Sequence, residues 1–180
     1  MSYMDKYLHA IFSTDLRDDA EHFQTEALKA AAIADRVARN IGSLLVRTKY
    51  ADTLSHQFEG GTSNLARLRS EWLAIVTEKG SARGWVKAED IAIAPILYRR
   101  VADFSLAHYL DGKCVPCGGT GSQGADKMFA ICSECKGARE AKLPAMGSYE
   151  KKRVLDMLAE LISLELAHSR AAGVLLRREG

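Results

Sequence analysis

Four cysteines carry the clearest chemistry in the chain, in the pairs Cys114-Val-Pro-Cys117 and Cys132-Ser-Glu-Cys135. Two residues between paired cysteines let both sulfurs turn toward one point, and two such knuckles supply the four thiolates of a tetrahedral, closed zinc site. Fourteen residues lie between Cys117 and Cys132, near the usual spacing of paired knuckles. Glycines after each knuckle permit backbone conformations that bring amides toward the sulfurs. The expected cofactor is therefore one structural zinc ion held by Cys114, Cys117, Cys132 and Cys135, the only four cysteines in the chain. With no open coordination position, such an ion is a scaffold whose binding free energy becomes folding free energy. A redox pair of the thioredoxin kind and an iron–sulfur cluster are the alternatives for the same residue type, and two matched knuckles argue against the redox pair.

Nothing else in the sequence nominates a catalyst. The histidines, His9, His22, His56, His108 and His168, are scattered and none pairs with another at ligand spacing. His108 lies close before Cys114, either as a neighbour of the metal site or as a partly buried helix residue. There is no GxSxG, phosphate loop or HExxH. The carboxylate pairs Asp18-Asp19 and Glu89-Asp90 fall at expected helix starts, where acids favour the helix dipole. The chain is expected not to be an enzyme and to have no small-molecule substrate.

Basic residues surround the cysteine segment: Arg99, Arg100, Lys113, Lys127, Lys136, Arg139, Lys142, Lys151, Lys152 and Arg153. Taken singly, each suits a solvated polar face. As a group flanking a zinc module, they point to contacts with duplex DNA phosphates, with the following helix able to enter a major groove.

The elements that must position these residues read as helices. From Asp15 to Asn40, Leu16, Phe23, Ala27, Ala31, Ala34 and Val37 recur at helical spacing. The run Glu59-Gly60-Gly61-Thr62-Ser63 breaks regular structure. It is expected either to divide the chain into an N-terminal helical arm, 1–62, and a helical body, 63–180, with the metal module at 112–139, or to be a loop between two helices of one domain. A second helix is expected over Asn64–Lys79, with Leu65, Leu68, Trp72, Ile75 and Val76 on one face, Ser63 as its cap and Gly80 as its end. A third is expected over Glu89–Leu110, with Leu97, Val101, Phe104 and His108 on one face. Within it Pro95 marks either a kink or the true first turn. Met128-Phe129-Ala130-Ile131 suits a small hairpin. After Gly147-Ser148 a strong amphipathic helix follows, with Val154, Leu155, Leu158, Leu161, Ile162 and Leu166 as its apolar side and Gly173 ending or weakening it. The fold class is mainly α, with one inserted four-cysteine zinc ribbon.

Composition sets the outer bounds. Hydrophobic residues make up 47% of the 180 and charged residues 27%, enough for a packed core and a soluble surface. The net charge is +2, too small to mark a nucleic-acid binder by itself. Residues 1–62 hold 7 Lys/Arg and 9 Asp/Glu, and the remainder hold 18 and 14, so the basic excess lies with the cysteines. No run reaches the roughly 18 apolar residues of a membrane span, and the N-terminus lacks the features of a secretory signal. A reducing, cytoplasmic setting is expected, where paired CxxC units are read as metal ligands before disulfides.

Cys114-Val-Pro-Cys117-Gly-Gly119-Thr-Gly121 matches the CxxCxGxG repeat of the J-domain co-chaperones, and Cys132-Ser-Glu-Cys135-Lys-Gly137-Ala-Arg139 matches it except that Arg139 replaces the last glycine. Those co-chaperones carry four repeats and a His-Pro-Asp tripeptide, which this chain lacks. With its helix–ribbon–helix arrangement from about Ser63 to Ala172, the chain more closely resembles the late-gene antitermination proteins of lambdoid bacteriophages, the lambda-type Q proteins. The resemblance implies a transcription factor in the bacterial host. It would bind duplex DNA at a phage late promoter and engage paused RNA polymerase that still holds its sigma factor. It would then travel with the enzyme and suppress termination by narrowing the RNA exit channel. Only the four zinc ligands carry over residue by residue. A zinc-stabilised DNA-binding repressor or activator, and a protein inhibitor of a host enzyme without DNA contact, are the competing classes.

Overall fold

The computed structural model describes residues 2–12, 24–51, 61–123 and 130–179. The described residues form six α-helices and one small hairpin, the mainly α architecture expected. The helices are α1 (Tyr3–Phe12), α2 (Gln24–Ala34), α3 (Gly42–Val46), α4 (Gly61–Ala82), α5 (Ala94–Asp111) and α6 (Ser148–Glu179). The antiparallel hairpin pairs β1 (Ser122–Gln123) with β2 (Ala130–Ile131). Among the described residues, no helix is long and apolar enough to cross a membrane.

The chain divides into two compact units, Met1–Ile75 with Ala159–Gly180, and Val76–Leu158. The division falls inside α4 and α6, not between residues 62 and 63. The described part of the expected N-terminal arm does not pack only on itself. Tyr3, Tyr7, Ala30, Ala31, Ala34 and Val46 share one core with Ala172 of α6.

In the first unit, α1 begins with a reciprocal cap. The Asp5 amide donates to Ser2 Oγ at 3.2 Å while the Ser2 amide donates to Asp5 Oδ2 at 2.9 Å, satisfying donors that a helix start leaves open. These bonds from Ser2 hold the Asp5 carboxyl below its ordinary value. The alanine stripe of α2 is buried at Ala27, Ala30, Ala31 and Ala34, small side chains that allow close helix approach. Val37 departs from the expected stripe and is exposed. The helix tightens to a 3₁₀ turn over Asp35–Ala38, which rotates Val37 off the buried face. Arg39 and Asn40 then take left-handed backbone conformations, and the chain turns into α3. Leu16 and Phe23 of the expected stripe lie outside the described residues.

In the second unit, α5 buries Ala94, Tyr98, Val101, Ala102, Ser105, Leu106 and Tyr109. Pro95 sits in its first turn, where its missing N–H costs nothing. A 3₁₀ segment, Ala88–Ile93, precedes it. Gly80 does not end α4, which runs on to Ala82. A Cβ at Gly80 would overlap the rings of Tyr98 and Trp85, so that glycine permits close packing. Trp85 meets Tyr98 edge to face at 6.0 Å. The Arg153 guanidinium lies over both Trp85 and Tyr149, 5.4 and 4.6 Å from their centroids, and the Tyr149 hydroxyl donates to the Trp85 carbonyl. Ser63, expected to cap α4, lies inside it, because the helix starts at Gly61.

Helix α6 departs furthest from expectation. It buries Val154, Met157, Leu161, Leu164, His168 and Ala172, while Leu155, Ile162 and Leu166 are 46%, 45% and 49% exposed. The helix also continues past Gly173 to Glu179.

Candidate metal centre

The knuckles are built from tight turns that the local sequence allows. Val115–Cys117 forms a 3₁₀ turn with Pro116 inside it. Gly118, Gly119 and Gly121 then take positive φ values of 57°, 80° and 82°, a region costly for other residues. The amide of Gly119 donates to the Cys114 carbonyl at 3.1 Å, and that of Thr120 to the Cys117 carbonyl at 3.0 Å. The second knuckle repeats the plan. The Lys136 amide donates to the Cys132 carbonyl at 2.7 Å and the Ala138 amide to the Cys135 carbonyl at 2.9 Å. Lys136 and Gly137 carry its positive φ values.

The two knuckles are laced together by backbone. Cys132 N–H donates to the Gly121 carbonyl at 3.0 Å, beside the hairpin, and Cys114 N–H donates to the Arg139 carbonyl at 3.0 Å. An antiparallel bridge between Lys113 and Glu140 and a 2.8 Å bond from the Ala141 amide to the Gly112 carbonyl close the base. The described part of the module thus runs from Gly112 to Ala141.

This frame brings the four sulfurs together. Their Sγ atoms lie within 4.8 Å of one another, and all four residues are buried. Cys114 Sγ is 3.9 Å from Cys132 Sγ, and Cys117 Sγ is 3.7 Å from Cys135 Sγ, far beyond the about 2.05 Å of a disulfide. The Gly121 amide donates to Cys117 Sγ at 3.3 Å. Burial pushes the Cys114 thiol up to about 12. Burial pushes Cys117 up as well, but the Gly121 amide and the Cys114 and Cys135 thiols outweigh it and bring Cys117 down to about 6. Four convergent sulfurs can hold a metal ion, and they leave no oxygen or nitrogen donor in the set.

The other sequence-selected residues fall out differently. His108 stands 3.9 Å from Glu140, with its side chain 12% exposed, and is not one of the clustered donors. Arg99, Lys113, Lys136, Arg139, Lys151 and Lys152 are exposed. The remaining described cations have internal partners. Arg100 grips Glu150 through two bonds of 2.7 and 3.1 Å, Lys142 pairs with Glu134 at 3.0 Å, and Arg153 is held over its rings and 3.6 Å from Asp156. Lys127 lies outside the described residues.

Sequence reasoning passed over a second polar cluster, inside the first unit. His168 is fully buried. Its Nε2 faces the Ala31 carbonyl at 3.2 Å, Ser43 Oγ at 3.3 Å and Asp35 Oδ1 at 3.4 Å. Burial pulls its pKa down, against the opposing pull of Asp35. The Asp35 carboxylate also accepts the Ser43 amide at 2.6 Å, tying the 3₁₀ turn to the start of α3. No sequence spacing signals this cluster, because its members are far apart along the chain.

No protein-family model matches the chain, and no curated protein or solved structure matches it.

Proposed function

We propose that the chain is a zinc-stabilised transcription antitermination factor of the lambda Q type, acting in the cytoplasm of a bacterial host. In this reading it binds duplex late-promoter DNA, engages paused RNA polymerase with its sigma factor, and suppresses termination. It is not an enzyme. The observation that carries the reading is the pair of CxxCxGxG-like knuckles folded into one four-sulfur centre in the chain between α5 and α6.

Zinc fits the centre. With zinc–sulfur bonds of about 2.3 Å, a regular tetrahedron spaces its sulfurs about 3.8 Å apart. The 3.9 and 3.7 Å separations of two of the sulfur pairs are close to this, and all four sulfurs lie within 4.8 Å of one another. Cys114, Cys117, Cys132 and Cys135 would hold the ion, which supplies cross-linking and no reaction step.

Two features of the module's surface support macromolecular contact. Lys113, Lys136 and Arg139 project from the knuckles and their closing strands and suit phosphates, which position a protein on DNA without reading its sequence. Val115 and Ile131 are 87% and 73% exposed, large apolar side chains whose burial a protein partner would reward. Phosphates would not, which favours a polymerase-bound factor over a repressor that touches DNA alone.

The test is binding of the zinc-loaded chain to bacterial RNA polymerase holoenzyme paused on late-promoter DNA, measured beside free duplex. Tighter binding to the paused complex, weakened by Val115→Ser with Ile131→Ser, is expected. Equal binding to both would point to the repressor class, and binding to neither would remove the proposal.

A further inference from the structure

Within the first unit, α1 and the last turns of α6 line an open cleft of about 470 Å³, inside the range of small-molecule sites. Its floor is partly apolar, with Leu166, Gly173 and Leu176. Its charged members are Lys6, Arg170 and Arg177, and no acidic residue lines it among the described residues. Arg170 and Arg177 are separated by two turns of α6, about 10.5 Å of rise, on the stripe that also carries Leu166 and Gly173. On that stripe Gly173 is the i,i+3 neighbour of Arg170 and Arg177 the i,i+4 neighbour of Gly173, and both arginines line the cleft.

Gly173 sits between them, and internal packing does not explain it. A Cβ there would meet only the Tyr3 Cβ, at an ordinary 3.9 Å. Its backbone is helical, so no left-handed conformation requires glycine. Gly42 and Gly80 differ on this point, since side-chain rings occupy the space beside them. A mid-helix glycine lowers helix stability relative to alanine. Here that cost keeps open the floor between two cations.

We infer that this cleft binds a small organic oxyanion, a phosphate or carboxylate carried on a compact apolar body. The oxyanion pairs with the Arg170 and Arg177 guanidinium groups, whose planar forks suit either group. The apolar body rests on Gly173 between Leu166 and Leu176. The ligand is bound and not transformed, and its recognition is independent of the transcription reading.

Isothermal titration of the zinc-loaded full chain with 1-naphthyl phosphate, 1-naphthoate, 1-naphthol and inorganic phosphate tests this. Saturable one-to-one binding of either naphthyl anion is expected, and the tighter of the two identifies phosphate or carboxylate as the favoured source. Naphthol and inorganic phosphate bind at least about tenfold more weakly, because a charge-assisted hydrogen bond or the apolar contact is missing. Arg170→Gln weakens the anion by about tenfold or more. Gly173→Leu fills the floor and abolishes binding, while Gly173→Ala raises the melting temperature, which shows that the site tolerates a side chain in the folded protein. The inference is overturned if neither anion saturates, if naphthol binds as tightly as the anions, or if Gly173→Leu and Arg170→Gln leave affinity unchanged. It is also overturned if duplex DNA alone responds to those substitutions.

Discussion

Gly42 is pressed against the ring of His168: a Cβ at position 42 would fall on the imidazole carbons. Neither partner can yield easily. His168 is fully buried and its Nε2 is engaged by Ala31, Ser43 and Asp35, while Gly42 opens α3. Gly42→Ala should therefore destabilise the chain by about 2 kcal/mol, the usual scale of overpacking, despite alanine's better helix propensity. Thermal denaturation of the two proteins checks this. A variant at least as stable as wild type would show that the contact is not close-packed.

The same histidine makes stability depend on pH. Its folded-state pKa lies below the ordinary 6.5 because burial disfavours the charged ring. Below pH 6.5 the unfolded chain binds a proton that the folded chain resists, so this contribution is complete above 6.5 and is lost as pH falls toward the folded-state value. Asp35 and Glu165 oppose the shift without reversing it. The melting temperature should fall from about pH 7 to about pH 5.5, and His168→Gln should flatten that part of the profile. An unchanged slope in the variant would assign the pH dependence to other groups.

Arg100 and Arg153 should differ in cost when replaced. The side chain of Arg100, paired to Glu150, is half exposed, and water and salt screen such a pair, so Arg100→Ala should cost about 0.5 kcal/mol or less. Arg153 is stacked over Trp85 and Tyr149 and only 22% exposed. Arg153→Ala should cost about 1–2 kcal/mol, and Arg153→Lys should restore little because the stacked plane is lost. Urea denaturation of the three variants decides the order, and equal losses would contradict it.

Metal removal should be felt locally. Segment 112–141 has two residues in each strand and a buried cluster consisting of its four cysteines. Such a hairpin does not stand alone in water, whereas zinc supplies an apparent binding free energy of about 10–16 kcal/mol. A strong chelator, or Cys114→Ser, should abolish amide protection at Cys132 and Lys136 while Ala30 and Ala31 keep theirs. Protection that survives in the metal-free knuckles would show that the backbone lacing suffices.

The metal donors were legible in the sequence because CxxC spacing fixes sulfur geometry within a few bonds, and their convergence followed. Pro95 was legible as a first-turn residue for the same local reason. The working face of α6 was not. Apolar residues lie nearly all round its middle, so Leu155, Ile162 and Leu166 fit a stripe as well as Met157 and Leu164 do. The buried stripe also contains His168, a polar residue that periodicity counts against burial. Glycines posed a similar limit. Gly80, Gly42 and Gly173 look alike in sequence as helix breakers, yet aromatic rings stand beside one, an imidazole beside another and an open cavity beside the third. Only the neighbours in space distinguish them.

The central claim is antitermination, and single-round transcription addresses it most directly. Bacterial RNA polymerase holoenzyme would transcribe a template carrying the cognate phage late promoter, its promoter-proximal pause and a downstream intrinsic terminator. Wild-type chain would be compared with Cys114→Ser and with Lys113→Gln, Lys136→Gln and Arg139→Gln combined. Readthrough that rises with the wild-type chain, disappears with Cys114→Ser and falls with the triple variant is the predicted result. Unchanged termination in the presence of folded, zinc-loaded wild-type chain would contradict the claim.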